Sequence, residues 1–291
     1  MNIKDFYDLY NEYLNADIEL SDDYMDKINL HFMAYLKNPT DKQADTFKTI
    51  VEALIVAFLT DLLKKWEEQL KIASEFGYDF SQTQTEGIDV VSNKIDKNVI
   101  TNLYKNKLDV AIEEITSVTQ GIRINVQNVL KDIQTNLETT KKQISLELME
   151  TFNKYGITYF TRADGSKLGI SDYVKMKSSD LVISSFRNSY FADLLSKNIE
   201  LVQVKRLPTQ SKECDACKPY DNKVLSLQDK DGFESVSTAK MNGLFHFSCF
   251  HYVIPFMDNP TDEDKTITHS EENKRTYARN EKKGIKRKLI D

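Results

Sequence analysis

The residues best suited to chemistry in this 291-residue chain are concentrated in one short stretch. All three cysteines and two of the four histidines lie between positions 214 and 251. They read Cys214-x2-Cys217, then 28 other residues, then His246-x2-Cys249-x-His251. A Cys-x2-Cys turn lets two thiolates converge on one ion, and a second, distant pair closes a tetrahedral site. The pattern therefore predicts a metal site, with zinc as the ion.

The predicted ligands are Cys214, Cys217, His246 and Cys249, with His251 as an alternative to His246. The pattern contains no obvious carboxylate ligand or open position, so it indicates a closed structural Zn²⁺ site. Two other interpretations remain. Three reduced cysteines can pack as small apolar side chains, and Cys-x2-Cys also occurs in redox sites. Redox sites of the thioredoxin type need a βαβ context that the surrounding sequence lacks.

Charge and hydropathy restrict the class of protein. The net charge of −6 argues against binding nucleic acid over the whole surface, although a local basic patch is compatible with it. The first residues lack the apolar segment of a secretory signal, which with three cysteines predicts a reducing compartment. The most apolar run, 50–63, contains Glu52 and Asp61 and is too short for a membrane span. We expect no membrane partner.

Proline is absent from residues 40–207, which permits long helices because proline breaks helix interiors. Apolar spacing close to the helical period supports them. A polar segment with two glycines, 77–91, predicts a loop. The predicted helices cover about 3–15, 22–37, 41–76 and 92–154.

One face of the last of these helices carries a heptad-like apolar seam. Gly121 interrupts it as a candidate kink or helix boundary. The seam can pair with a second copy in a coiled coil or pack inside a helical bundle, and the bundle is favoured because the pattern weakens after Leu137. The seam consists of Ile112, Ile115, Thr119, Ile122, Val126, Val129 and Ile133.

The pattern changes after Gly156, where short strands and turns appear. A hairpin over about 157–168 precedes a helix that ends near Lys197, and Phe186, Tyr190 and Phe191 on that helix are predicted core residues. We predict a mostly α fold, in which a long-helix N-terminal region is followed by a small α+β zinc-binding C-terminal module. The predicted divisions are an all-helical region 1–155, the module 156–258 and a charged, basic tail 259–291.

The cysteine and histidine segments resemble a known family, the phage minor capsid protein 2 family, which is related to the Mu F-like head morphogenesis proteins. The similar segments are Cys214-Asp-Ala-Cys217 with the following Lys223-Val-Leu-Ser226, and Gly243-Leu-Phe-His246-Phe-Ser-Cys249-Phe-His251. The chain departs from the family pattern at Phe247, where proline is usual, and at Phe250, where arginine is usual. The resemblance extends over about 150–290.

This resemblance implies a non-enzymatic minor component of a phage head, made in the bacterial cytoplasm and placed inside the capsid near the portal. Its implied partners are the portal protein, the major capsid protein or both, and its implied role is to aid head assembly or DNA packaging and ejection. Two alternatives remain: a zinc-containing nucleic-acid-binding protein, and an effector or toxin linked to a Mu F-like module. Serine-elbow, metalloprotease and phosphate-loop motifs are absent from the sequence.

A basic run near the C-terminus is the predicted contact with packaged DNA or with an acidic partner, and a solvated helix end is the alternative interpretation. Self-association through the long helices is a further partner prediction. Arg187 and Arg206 are interpreted as ordinary surface arginines. The basic run comprises Lys274, Arg275, Arg279, Lys282, Lys283, Lys286, Arg287 and Lys288.

Overall fold

The computed structural model describes residues 2–88, 95–140, 157–162, 164–207, 214–246, 249 and 251–283. Within them the fold is mostly helical with a small amount of sheet, which confirms the predicted mostly α class. Among these residues we find no helix with both the length and the apolar character of a membrane span. The helices are α1 (Ile3–Lys37), α2 (Asp41–Gln84), α3 (Lys97–Thr140), α4 (Ile170–Ser196), α5 (Val236–Met241), α6 (Asp262–Lys265) and α7 (Glu271–Lys282). The strands are β1 (Tyr159–Thr161), β2 (Lys167–Gly169), β3 (Leu201–Arg206), β4 (Val224–Ser226) and β5 (His251–Pro255).

The described strands form two antiparallel arrangements. Strands β1 and β2 make the predicted hairpin, with Tyr159 opposite Gly169. Strand β3 lies between β4 and β5 in the other sheet. Its last residue, Arg206, pairs with His251, the first residue of β5. This register fixes the backbone position of His251, because it is paired with Arg206 in a hydrogen-bonded ladder.

Helix α1 is continuous from Ile3 to Lys37, so the predicted separation into helices 3–15 and 22–37 is wrong. The intervening segment contains no proline or glycine, and Asp17 within it has buried partners. Asp17 accepts hydrogen bonds from Trp66 Nε1 at 3.1 Å and from Gln69 Nε2 at 2.9 Å. Buried polar groups with such partners are compatible with a helix interior.

Helix α2 also extends further than the sequence predicts, because it runs through Gly77 to Gln84. The prediction of a loop from residue 77 is therefore wrong for residues 77–84. A Cβ atom placed at Gly77 would lie 2.1 Å from the carbonyl oxygen of Phe186. The glycine allows a close approach of the α4 backbone and does not end the helix. In the next helix, α3 passes through Gly121 without a break, and residues 141–154 of that prediction lie outside the described residues.

The chain divides into two compact units. The predicted division into residues 1–155, 156–258 and 259–291 stays a prediction. The first unit comprises Met1–Tyr10, Leu70–Lys107 and Ser179–Asp291. The second unit comprises Asn11–Gln69 and Leu108–Ser178.

The second unit contains most of the α3 seam, and its core is helical. Ile115 and Ile122 are at most 1 % exposed, as is Trp66 of α2. Arg123 on α3 pairs with Glu52 on α2 at 2.7 Å. Burial of the seam within the chain accords with the bundle packing favoured by the sequence.

The first unit has an aromatic core beside the three-stranded sheet. Phe6 stacks on Phe186 with ring centroids 4.2 Å apart, and Phe80 packs on both Phe186 and Tyr190. Phe186, Tyr190 and Phe191 are buried, as predicted. Aromatic pairs of this kind contribute roughly 0.5–1.5 kcal/mol each beyond the area they bury. These ring contacts fix the position of α4 around Phe186 and Tyr190 inside this unit.

Candidate metal centre

The first cysteine pair lies on a tight turn that follows β3. The amide of Cys217 donates to the carbonyl of Cys214 at 3.0 Å, and the amide of Lys218 donates to the same carbonyl at 2.8 Å. A short 3₁₀ helix, Lys218–Tyr220, follows with Pro219 in its first turn, where proline's fixed φ suits a helix start. These bonds hold the two thiol groups on the same side of the turn.

The second pair lies on a turn with the same hydrogen bond, since the amide of Cys249 donates to the carbonyl of His246 at 3.0 Å. Gly243 has φ +102° and Phe245 has φ +63°, both in the left-handed region. Glycine adopts this region without cost, whereas phenylalanine pays for it. Residues 242–245 thus form a turn between α5 and His246.

The structure brings all five predicted residues together. Two groups of three have ligand atoms within 4.8 Å of one another: Cys214 with Cys217 and His246, and Cys217 with Cys249 and His251. Cys217 belongs to both groups and is fully buried. The cluster can hold a metal ion, and the described residues contain no other group of cysteine, histidine or carboxylate side chains that meets the same test.

Within each group of three, the measured distances are comparable to those between zinc ligands, although Cys249 is grouped with Cys217 and His251 and not with Cys214 and His246. Zinc–sulfur bonds of about 2.3 Å and zinc–nitrogen bonds of about 2.0–2.1 Å place neighbouring ligand atoms roughly 3.6–3.8 Å apart. The Cys217 and Cys249 sulfurs are 3.5 Å apart, and Cys249 Sγ is 3.4 Å from His251 Nδ1. Cys214 Sγ and His246 Nε2 are closer, at 2.9 Å.

His251 has a polar neighbour of the kind that orients metal-binding histidines. Its Nε2 lies 2.7 Å from Asp221 Oδ1, and its Nδ1 faces Cys249. Because a carboxylate only accepts hydrogen bonds, Nε2 donates to Asp221, and Nδ1, which faces Cys249, is the nitrogen that would bind an ion after losing any proton it shares with that sulfur. Carboxylates beside ligating histidines fix the ring and increase the basicity of the ligand. Asp221 is a site residue that the sequence interpretation missed.

The protonation of the buried thiols is unequal. The hydrogen bond to Cys249 and burial both raise the pKa of Cys217. Burial also acts to raise the pKa of Cys249, but hydrogen bonds with Cys217 and His251 and the charge of Arg187 outweigh it and hold that pKa well below its usual range. The thiolate form is therefore favoured at Cys249 over Cys217. A thiolate is the form that binds metal.

Arg187 is part of this site, and its interpretation as an ordinary surface arginine is wrong. It extends from α4, is half-buried, and donates from Nη2 to the carbonyls of His251 at 3.2 Å and Cys249 at 3.5 Å. Its guanidinium carbon lies 4.0 Å from the centre of the Phe245 ring. One side chain thus contacts both ends of the second turn. Because Arg187 is 62 residues from Cys249 in the sequence, a search for local motifs does not detect it.

The described part of the predicted basic run lies on α7 and its C-terminal cap. These side chains are exposed, and two of them pair with acids on the same helix: Lys274 with Glu271 at 2.7 Å and Arg279 with Glu272 at 3.7 Å. Lys286, Arg287 and Lys288 lie outside the described residues. The exposed members are Lys274, Arg275, Arg279, Lys282 and Lys283.

Comparison with known protein families gives one decisive result. A family model described as phage minor capsid protein 2 matches residues 23–288. The chain belongs to the phage minor capsid protein 2 family. The match confirms the resemblance found at the cysteine and histidine segments and extends it into the helical N-terminal half. No curated protein and no solved structure matches the chain.

Membership of the phage minor capsid protein 2 family carries three coarse conclusions. The chain has a structural role in a phage head, its location is the virion, and it interacts with other virion proteins. Proteins of this kind are usually non-enzymatic. The metal cluster and the basic helix are the two features of this chain for which a more specific role can be proposed.

Proposed function

We propose that this protein is a non-enzymatic minor component inside the phage head, near the portal, where it aids head assembly or DNA packaging and ejection. The family match over residues 23–288 carries the proposal. The mechanism is binding, with the portal protein, the major capsid protein or both as partners. Self-association through the long helices is a weaker proposal, since the α3 residues Ile115 and Ile122 are buried within the chain.

The metal in this proposal is Zn²⁺, held by Cys214, Cys217, His246 and Cys249, with His251 as the alternative to His246. The observation in support is the pair of donor groups that share Cys217. An ion bound there would join the turn after β3 to the turn before β5. Such closed sites contribute roughly 10 kcal/mol or more to the stability of a small fold. The ion's role is therefore structural.

Analysis of purified virions tests the proposed location. We expect mass spectrometry to detect the protein in intact particles and cross-linking to join it to the portal protein. Particles emptied of DNA then show whether it leaves with the genome. Absence from purified particles would contradict the proposal and would favour a zinc-containing nucleic-acid-binding protein. A hydrolase or transferase activity that survives loss of residues 156–291 would favour the effector alternative instead.

The exposed basic face of α7 is proposed to contact packaged DNA through phosphates. We expect the full-length protein to bind random-sequence duplex DNA with an affinity that falls steeply as salt rises, because bound counterions are released. Arg275→Glu should reduce the slope of log affinity against log salt by about 1. Lys42→Glu, at an exposed position of α2, is the matched control and should leave the slope unchanged. Binding that does not depend on salt would contradict a phosphate contact.

A further inference from the structure

Helix α7 begins with a capping box. Ser270 Oγ accepts from the Asn273 amide at 3.1 Å, and Asn273 Oδ1 accepts from the Ser270 amide at 2.9 Å. Ser270 Oγ also contacts Asn273 Oδ1 at 2.8 Å. Asn273 is nevertheless fully buried, which is unusual for an asparagine in the first turn of an exposed, charged helix. The other end of its side chain explains the burial.

The Asn273 amide group donates two hydrogen bonds of 2.8 Å, one to the carbonyl of Ala216 and one to the carbonyl of Asn242. Ala216 lies between the ligand candidates Cys214 and Cys217, and Asn242 follows α5 on the way to His246. The side chain uses both acceptor and both donor positions of its amide. A single residue of α7 therefore joins the two chain segments that carry the metal-binding turns.

Other contacts extend this docked face. Ser270 Oγ lies 3.2 Å from the carbonyl of Asp215, and Asn280 Nδ2 donates to the carbonyl of Met241 at 2.9 Å. A Cβ atom at Gly243 would lie 3.3 Å from Thr276 Cγ2, so the helix packs closely on the backbone. Asn273, Thr276 and Asn280 share one face because they are three and seven residues apart. The basic side chains lie on the rest of the helix surface together with Glu271, Glu272 and Glu281.

We infer that occupancy of the metal centre and docking of α7 are coupled, so that the bound ion determines whether the basic face of α7 is held in one place. The carbonyls of Asp215 and Ala216 lie inside a four-residue turn whose two ends are ligands. An ion that fixes the ends also fixes the carbonyls, and without it the turn loses that constraint. This inference rests on the proposed metal site. It adds a consequence for the helix that carries the proposed DNA contacts.

Coupling between two sites is reciprocal, which makes the inference measurable from either side. Metal binding should protect the α7 amides from hydrogen exchange, and a weaker docking of α7 should lower metal affinity by the same factor. Asn273→Asp is the informative variant. Its carboxylate keeps the capping interaction with Ser270, but it cannot donate to Ala216 and Asn242.

The experiment is hydrogen exchange of the full-length protein with and without Zn²⁺, combined with a zinc titration against a competing chelator. For the unaltered chain we expect amides of α7 to exchange about tenfold more slowly with zinc. Asn273→Asp should show fast exchange in both conditions and bind zinc about tenfold more weakly. Lys274→Gln, on the exposed face of the same helix, is the control and should change neither quantity.

The possible results separate a failure of the coupling from a failure of the metal site. If zinc binds but the exchange of α7 is the same with and without it, the coupling is wrong and the zinc site stands. If Asn273→Asp binds zinc as tightly as the unaltered chain, the coupling is also wrong. If the unaltered chain binds no zinc, both the coupling and the proposed metal are overturned. The first comparison needs no variant, so a failure of Asn273→Asp to fold does not prevent the test.

Discussion

Cys217→Ser should abolish zinc binding and lower the thermal stability of the first unit. Cys217 is the donor common to both groups of candidate ligands, so its loss leaves neither group with three members. Serine has nearly the same shape, which limits the effect on packing. The expected loss of stability is on the order of 5 kcal/mol or more, because structural zinc sites contribute roughly 10–16 kcal/mol of apparent binding free energy. Metal analysis and thermal unfolding of purified protein measure the two effects.

Chelator treatment supplies an internal comparison for this variant. The unaltered protein in chelator and Cys217→Ser should unfold at the same temperature, since each lacks the ion. His31→Gln, at an exposed position of α1, should keep its zinc. Zinc retained by Cys217→Ser, or an unaltered protein that contains no zinc and unfolds identically in chelator, would remove the metal from the proposed function.

The same measurements on histidine variants identify the fourth ligand. The sequence left His246 and His251 as alternatives, and the structure places each beside a cysteine. Loss of zinc in His246→Gln, with retention in His251→Gln, would support the preferred set. Because the hydrogen bond to Cys249 and burial raise the pKa of Cys217, zinc binding must displace a proton from that thiol. Zinc affinity should therefore increase with pH.

Sequence spacing predicted the members of the cluster because each pair lies on a local turn. Cys214 and Cys217 are joined by one backbone hydrogen bond, and so are His246 and Cys249. Two ligand residues spaced three positions apart can be recognised directly in a sequence. Whether the two turns converge depends on the pairing of β3 with β5, which the sequence did not predict.

The residues around the cluster could not be predicted in the same way. Arg187 acts from α4, and Asn273 acts from α7 at a separation of 57 residues from Ala216. An arginine or an asparagine in a sequence does not reveal whether its side chain is buried against a partner or exposed to solvent. Their roles depend on the three-dimensional approach of helices, which the sequence expresses only through glycine and small residues at the points of contact.

The helix boundaries illustrate the same limit. Asp17 and Ser21 look like linker residues, yet both are fully buried in α1, and burial raises the pKa of Asp17 against the hydrogen bonds it accepts. Gly77 looks like the start of a loop, yet α2 continues through it. In both cases tertiary contacts outweigh local propensity, which for a single residue amounts to about 1 kcal/mol or less.

Gly77→Ala should lower the free energy of unfolding by about 3 kcal/mol or more. Alanine improves helix propensity by about 1 kcal/mol, but its Cβ would lie 2.1 Å from the Phe186 carbonyl oxygen, and backbone cannot move aside as a side chain can. Gly121→Ala is the matched control in another long helix. There the nearest atom is the Phe160 Cβ at 3.3 Å, and we expect a change of less than about 1 kcal/mol.

The effect of Gly77→Ala should reach the metal centre as well. Moving α4 at Phe186 also moves the next residue, Arg187, whose guanidinium contacts the carbonyls of Cys249 and His251. Competition with a chelator should therefore show weaker zinc binding in Gly77→Ala than in Gly121→Ala. Unfolding of Gly77→Ala at the unaltered temperature would contradict a close contact between α2 and α4. If Gly77→Ala is destabilised but binds zinc as tightly as Gly121→Ala, the metal-binding turns keep their geometry without the Arg187 contacts.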